Sequence, residues 1–485
     1  MELDPRVCYR ALRTRDARFD GRFFTAVRTT GVFCRPVCPA RTPRAENCQF
    51  FSRAAAAQEA GYRPCLRCRP EASPGTPAWL GTSTTVSRAL RLIEDGALDT
   101  GGVADLADRL GIGERHLRRL FAEHVGASPG AVARMRRVFF AKNLLHETAL
   151  PMTAVAHAAG FRSVRRFNDA MQQVYGRCPR ELRRSAPTTA DAASATTIRL
   201  AYHAPYDWDA VAGFLGARAT RGVESVSRDT YRRTFALHGT TGWLEVRPAG
   251  DASQLVARIR VTHPRALMPV AERLRRLFDL EAEPGEIGAQ LAKDGLLRDR
   301  LRRLPGVRVP GAWDGFELAV RAVLGQQVSV AAATGLAGRI VDHFGEKLPA
   351  GLAPGSDDEV PDLIFPTPEV LAEANVAVIG MPVSRARAIG SLARAVARGE
   401  LDLSPSADGE ETRRRLLALP GIGPWTAEYV AMRALREPDA FPATDLGLCR
   451  ALDRAPSALS TAAQAWRPWR AYAAMLLWLA TERSR

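Results

Sequence analysis

A chain of 485 residues is too long for one hydrophobic core and has room for about three or four domains. With 46% hydrophobic and 25% charged residues it is neither disordered nor fibrous, and its longest apolar run, Ala473–Ala480, falls far below the ~20 residues a membrane span needs and reads as a buried helix. Of the net charge of +16, residues 1–185 carry +14, from 31 Lys+Arg against 17 Asp+Glu, and the rest of the chain only +2, so the first part is suited to a polyanion, by default nucleic acid.

Met1 to Gly21 alternate charged and small residues without an apolar core, which does not read as a signal peptide; a reducing, cytoplasmic and nucleoid-associated setting is expected. Of the eight cysteines, Cys8 and Cys48 read as ordinary small residues. Four others form two close pairs, Cys34-Arg-Pro-Val-Cys38 and Cys65-Leu-Arg-Cys68. Two short chelating arms brought together by folding make a tetrahedral thiolate site suited to zinc, whether as a scaffold or as part of a reaction. An iron–sulfur cluster uses the same ligand type and is only weakly disfavoured by this spacing. The surrounding residues, Ala26-Val-Arg-Thr-Thr-Gly-Val-Phe-Cys34 through Arg41 and Ala60-Gly-Tyr-Arg-Pro-Cys65 through Pro70, closely resemble the zinc domain of the Ada family over residues 4–72. That resemblance implies one zinc on Cys34, Cys38, Cys65 and Cys68, with Cys34 as the sulfur that takes a methyl group from a DNA phosphotriester. Thiolates are the nucleophiles methyl transfer requires, and nearby arginines, Arg35 and Arg67 among them, could hold the phosphates.

The next segment is helical in pattern and repeats at 49–50 residues: Leu106-Ala-Asp-Arg-Leu-Gly111-Ile recurs as Val155-Ala-His-Ala-Ala-Gly160-Phe, and Gly126-Ala-Ser-Pro129 as Gly176-Arg-Cys-Pro179. Each copy reads as helix, glycine turn and basic second helix, the first with Arg118 and Arg119, the second with Arg165 and Arg166. A single copy could be an ordinary helical hairpin with a solvated basic face. Two copies, joined by a long helix over Ala131–Leu145, resemble the AraC/XylS-type DNA-binding domain over residues 84–184, in which the second helix of each unit enters the major groove. Ser185–Thr197 is small, polar and without period, as a linker would be.

Beyond the linker, strand-like stretches such as Leu255–Val261 mix with helices, and from Trp313 onward the pattern is helical, interrupted by a loop over Pro349–Pro368. Leu416-Leu-Ala-Leu-Pro-Gly421-Ile-Gly423-Pro-Trp425 reads as a helix, a glycine hairpin and a second helix. The glycines let backbone amides approach a phosphate, and the second helix offers its N-terminus to the charge. A glycine-rich connection alone is common, and a lone loop aspartate is usually a helix N-cap. Here, however, Asp445 follows Trp425 by 20 residues, an arrangement that resembles the helix-hairpin-helix DNA glycosylase superfamily, where that aspartate is catalytic. The closer resemblance is to the AlkA family, carried by Ala204-Pro-Tyr-Asp-Trp208, Gly213-Phe-Leu-Gly-Ala-Arg218, Arg275-Arg-Leu-Phe-Asp-Leu280, Ala322–Val330 and Trp466-Arg-Pro-Trp-Arg-Ala-Tyr472, over residues 198–483. It implies an alkylated purine flipped into a pocket lined by Trp425, Tyr429 and Phe214. Aromatic faces attract bases made cationic by methylation. It also implies Gly421 and Gly423 at the DNA backbone, Gln327 wedged into the vacated stack, and a monovalent cation at the hairpin 419–423. Where bifunctional relatives place a lysine nucleophile this chain has Trp425, so no strand cleavage is expected. Only Cys449 follows Asp445, so no iron–sulfur cluster is expected there. The residue after the aspartate is Leu446, where an aromatic occurs in relatives, which puts the substrate range in doubt. A Pro-Cys-His-Arg segment is missing, so reversal of guanine O-methylation is not expected.

These readings give a multidomain chain, mainly α with α+β parts: a zinc-binding methyl-acceptor domain (1–75), an AraC-type double helix-turn-helix domain (80–185), a linker (186–197), an α+β glycosylase subdomain (198–305) and an all-α helix-hairpin-helix glycosylase domain (306–485). The expected function is repair of alkylated DNA coupled to a transcriptional response. Partners would be double-stranded DNA and RNA polymerase, with no membrane. The alternative is a regulator whose glycosylase half only recognises DNA.

Overall fold

The computed structural model describes residues 3–73, 84–183, 195–250, 253–352 and 360–482. The linker expected over 186–197 lies outside these residues up to position 194. The strand Thr196–Ala201 already begins within its last positions. The boundary expected between the domains 1–75 and 80–185 also lies outside them from position 74 to 83. The chain forms two compact units, Met1–His203 with Ala252–Arg258 and His263–Glu272, and Ala204–Asp251 with Ile259–Thr262 and Arg273–Arg485. None of the described helices is long and apolar enough to cross a membrane.

In the first unit, short strands form a four-stranded sheet in the order 48–51, 24–27, 32–34, 63–64. The inner pair is an antiparallel hairpin, Thr25 opposite Cys34. The last strand joins in parallel, Val32 beside Arg63 and Phe33 beside Pro64. This parallel pairing matters because it lays the two cysteine arms side by side. The helical repeat follows as read: Val103–Arg109 and Glu114–His124 flank a turn at Gly111, and Met152–Ala158 and Val164–Tyr175 flank one at Gly160. Both turn glycines have positive φ, +69° and +76°, a conformation a side chain would strain. The connecting helix runs Pro129–Glu147, two residues longer at each end than the apolar pattern indicates, because Ser128 caps its start with a hydrogen bond to the Ala131 amide.

A buried ion pair ties this helix to the cysteine segment. Lys142 Nζ lies 3.1 Å from Glu71 Oε1, with side chains 2% and 1% exposed, and Asn143 Nδ2 donates to the Glu71 carbonyl at 3.2 Å. Arg69 also faces Glu71 at 3.4 Å. Removing one member of such a pair strands the other charge in a low-dielectric interior. Lys142→Met is therefore expected to lower unfolding stability by about 3 kcal/mol, the low end of the range because Arg69 still faces the carboxylate. Urea unfolding of parent and variant measures this, and a loss below ~1 kcal/mol would show that the pair contributes little.

In the second unit, strands Glu224–Val226, Tyr231–Leu237 and Thr240–Pro248 form an antiparallel meander. The turn between the last two, His238-Gly239, has φ of +50° and +70°, the twist a two-residue hairpin prefers. The helical part packs around Leu318–Leu324, Ile389, Leu392, Leu416 and Val430. Of the loop expected over Pro349–Pro368, residues 353–359 lie outside the described residues, and Leu363–Ile364 form a strand within it, with Glu346 opposite Ile364 and Lys347 opposite Leu363. These two-residue strands are too short to show a period-2 pattern in sequence.

Candidate active site and metal centre

Four ligand atoms from Cys34, Cys38, Cys65 and Cys68 lie within 4.8 Å of one another. A tetrahedral zinc thiolate places its sulfurs about 3.8 Å apart, so the four fit one metal ion with small adjustments. Cys34 ends the strand Val32–Cys34. Cys38 follows a turn closed by its amide on the Arg35 carbonyl, and the Cys65 amide bonds the Phe33 carbonyl. Three of the cysteines are buried and Cys65 is half-buried. Hydrogen bonding among the crowded sulfurs, with burial added, pushes the Cys34 thiol up, while the bond from Cys34 draws Cys38 down to about 7. A bound cation would replace this sharing of protons. Cys8, apart from the cluster, is pushed up to about 11 by burial and the nearby Asp4 charge.

The arginines around this centre differ in freedom. Arg28, Arg41, Arg44, Arg63 and Arg67 are exposed. Arg35 is turned inward: its amide donates to Cys68 Sγ at 3.4 Å, its Nε to Asp20 at 2.8 Å and its Nη1 to the Cys68 carbonyl at 3.2 Å. Its observed partners are thus Asp20 and the metal segment itself. On the helix-turn-helix units, Arg118 and Arg119 are exposed, the first bonded to Glu114 and the second near His116. Arg165 and Arg166 are exposed as well.

In the second unit, Asp445 caps the helix Leu446–Leu452 by accepting the Leu448 amide at 2.9 Å. The N-cap expected of a lone loop aspartate is therefore present, and the carboxylate takes two side-chain donors besides. Trp425 Nε1 donates to Oδ2 at 2.8 Å, and Trp478 Nε1 donates to Oδ1 at 3.0 Å. Trp425 stacks on Tyr429 with centroids 5.1 Å apart and planes 13° off parallel, and Trp478 meets Tyr429 at 6.3 Å. Two indoles thus hold a half-exposed carboxylate, and Tyr429 packs against both of them. Trp478 escaped sequence reasoning because it sits inside the apolar run Ala473–Ala480. Its one signal was an indole in a helix otherwise filled with Ala, Leu and Met, since a buried Trp N–H must find an acceptor.

Tyr429 continues inward to Arg433, whose Nη1 donates to its hydroxyl at 2.7 Å. Burial alone would raise the Tyr429 phenol, but the charges of Arg433 and Arg218 and the Arg433 hydrogen bond outweigh it, and the net direction is down. Phe214 does not reach the carboxylate directly. It is 1% exposed, with the Arg218 guanidinium 3.8 Å and the Arg433 guanidinium 5.0 Å from its ring centre. The structure groups Asp445, Trp425, Tyr429 and Trp478, and sets Phe214 behind them across Arg433.

The hairpin stands at the start of the helix Pro424–Arg433, which no side chain caps, so its first amides are available to an anion. Gly421 has φ +80°, and a Cβ there would stand 2.9 Å from that of Ala388; both facts require glycine. Its carbonyl, where a cation was expected, accepts Gln326 Nε2 at 2.9 Å, and the same nitrogen bonds Thr426. Gln326 thereby anchors the loop beside it. Gln327 is exposed at its tip with φ +56°, next to the exposed Val328 and Val330.

The chain matches four family models: the metal binding domain of Ada over residues 7–71, a helix-turn-helix domain over 106–185, the AlkA N-terminal domain over 197–314, and the HhH-GPD superfamily of base excision DNA repair proteins over 320–467. It is 44% identical, over 98% of its own length and 96% of the relative's, to the probable bifunctional transcriptional activator/DNA repair enzyme AlkA of Mycobacterium tuberculosis. It is 37% identical to DNA-3-methyladenine glycosylase 2 of Escherichia coli, over 58% of this chain and 95% of the relative. The solved 3-methyladenine DNA-glycosylase from Archaeoglobus fulgidus shares the fold with a TM-score of 0.50 and 23% identity, over 58% of this chain and 97% of the other. A zinc-binding domain, a helix-turn-helix domain and a glycosylase fold thus follow one another along a single chain, and the chain belongs to the family of bifunctional transcriptional activator/DNA repair enzymes of the AlkA type, DNA-binding DNA glycosylases.

Proposed function

We propose that this protein excises alkylated purines with Asp445 and takes methyl groups from DNA phosphotriesters onto Cys34, the second event turning on its binding to promoters. The observation that carries the excision is the carboxylate held by two indole N–H groups at the edge of an aromatic cluster. Breaking a glycosidic bond leaves positive charge on the sugar, and a fixed carboxylate stabilises it without reorganising. Trp425 and Trp478 hold the two oxygens and keep that charge aimed, while the rings receive a flipped base. The exposed loop tip at Gln327 is suited to fill the gap in the stack, and the glycines of the hairpin to bring amides to a phosphate. Trp425 occupies the position of the lysine that Schiff-base chemistry needs, so the reaction ends at base release.

The indole bonds have a measurable consequence. Trp478→Phe keeps an aromatic face while removing the N–H with part of the bicyclic ring, so base release is expected to fall by at least about tenfold, in line with loss of one hydrogen bond to a charged group. Single-turnover excision of 3-methyladenine measures it. A rate equal to the parent's would mean that the indole is only packing.

For the methyl transfer, a zinc ion on Cys34, Cys38, Cys65 and Cys68 keeps the sulfurs deprotonated when bound. The Cys34 sulfur forms a bond to the methyl carbon with its own electron pair. The carbon–oxygen bond breaks, and its pair leaves with the phosphate oxygen, restoring a diester. Exposed arginines 28, 41, 44, 63 and 67 are placed to hold the neighbouring phosphates. The two helix-turn-helix units then read promoter DNA, with RNA polymerase as the partner recruited. Exposure of the zinc-loaded protein to a methylphosphotriester duplex, followed by peptide mass spectrometry, tests this: one added methyl on Cys34 is expected, and its absence sinks the acceptor reading.

A further inference from the structure

Arg433 is an odd neighbour for an aromatic pocket. The residue is 5% exposed, and its donors go only to neutral acceptors: Nε to the Pro310 carbonyl at 2.7 Å, Nη1 to the Tyr429 hydroxyl at 2.7 Å and Nη2 to the Gly311 carbonyl at 2.9 Å. Among the described residues it makes no ion pair. The carboxylates that line the same cavity are engaged elsewhere, Glu224 and Glu317 each bridging Arg233 and Arg321, and Asp314 facing Arg273. Arg218 adds a further cation against Phe214, 3.8 Å from its ring centre. A buried charge without a counter-charge is costly, and packing alone would be served better by an apolar side chain.

The arrangement has a direction. From Asp445, indole bonds lead to Trp425 and Trp478, both rings adjoin Tyr429, and the Tyr429 hydroxyl leads to Arg433. An anion stands at the sugar end of the aromatic cluster and a cation at its inner end. We propose that Arg433 is a specificity-determining residue, whose charge, presented through the Tyr429 hydroxyl, favours lesions that leave as anions over lesions that are already cationic. This rests on the reading of Asp445 and its rings as the excision site.

The chemistry separates the two classes. In both, the bond from the sugar carbon to the base nitrogen breaks with its electron pair going to the base, and a water oxygen forms the new bond to that carbon. A purine methylated on a ring nitrogen carries positive charge and departs neutral, while the proton of the water passes to Asp445 or to solvent. An uncharged lesion, such as a deaminated purine, departs as an anion, which that proton then neutralises. A fixed cation at the inner end opposes binding of the first and stabilises the departure of the second.

The test uses the full-length protein and two duplexes, one carrying 7-methylguanine and one hypoxanthine, with single-turnover rates taken for each. In Arg433→Met the ratio of the 7-methylguanine rate to the hypoxanthine rate is expected to rise about tenfold, the size expected for one charge acting across roughly ten ångströms of protein. Arg433→Lys, which keeps the charge, should hold the parent ratio within about twofold. A merely structural role would lower both rates together, so an unchanged ratio in a folded Arg433→Met overturns the proposal. Should that variant fail to fold by circular dichroism, Arg218→Gln carries the test, with a smaller shift in the same direction expected and an unchanged ratio again overturning it. Asp445→Asn run alongside separates the two levels: excision that survives it condemns the site itself, whereas excision lost with it leaves the Arg433 ratio as the test of charge.

Discussion

Asp445→Asn is expected to lower base excision by at least about a thousandfold while leaving the fold intact. The amide keeps the size of the side chain and an oxygen for the Leu448 amide, and asparagine caps helices as well as aspartate does. What it loses is the negative charge that the proposed excision sets against the sugar, where preorganised electrostatic stabilisation is worth the most. One of the two indole N–H groups that now bond the carboxylate at 2.8 and 3.0 Å would also face an amide N–H instead of an acceptor. The measurement is release of 3-methyladenine from methylated duplex, with thermal unfolding recorded on the same samples. A folded variant that releases base at the parent rate would reduce Asp445 to a helix cap.

The second large effect is on the other centre. Under the proposed methyl transfer, Cys34→Ala is expected to abolish methyl uptake altogether, because the sulfur that would form the bond is gone, while base excision continues at the parent rate. It should also remove a change in affinity. Four thiolates and a zinc ion carry a formal charge of −2, and a methyl on one sulfur makes it −1. Loss of negative charge beside a polyanion strengthens binding, and the gain weakens as salt rises. Exposure of the parent to a methylphosphotriester duplex should therefore tighten its binding to a promoter duplex by about tenfold at low salt, and the variant should show no change. Tightening in Cys34→Ala would place the reacting sulfur elsewhere in the cluster, with the half-buried Cys65 next to be examined.

Much of this molecule was legible in its sequence, for identifiable reasons. Cysteine pairs report a metal site because chelation needs short spacings, and the parallel pairing of Val32–Cys34 with Arg63–Pro64 supplies the closure that spacing alone leaves open. The duplicated helical units were legible because each turn needs a glycine at positive φ. That Asp445 and Trp425 belong together was legible through their separation, and a hydrogen bond joins them. What lay hidden was what tertiary contact decides. Trp478 is indistinguishable from core in an apolar run until its N–H is seen on Asp445. Arg433, which no motif singles out, is buried against Tyr429. Phe214 was expected beside the base, and its position behind Arg433 depends on how the meander and the helices pack. Arg35 looked like a phosphate ligand, but Asp20, fifteen residues earlier, draws it inward.

The double bonding of Asp445 bears on how such a site persists over generations. Catalytic groups commonly sit at a cost to the fold, so that replacing them yields sturdier, inactive proteins and selection for function must resist that drift. With Asp445 as the proposed catalytic group, the relation runs the other way. Replacement by alanine would forfeit a helix cap worth roughly 1 kcal/mol and leave two indole N–H groups without their acceptor. An inactive descendant would then be the weaker protein as well, and selection for stability alone would help to keep the carboxylate in place.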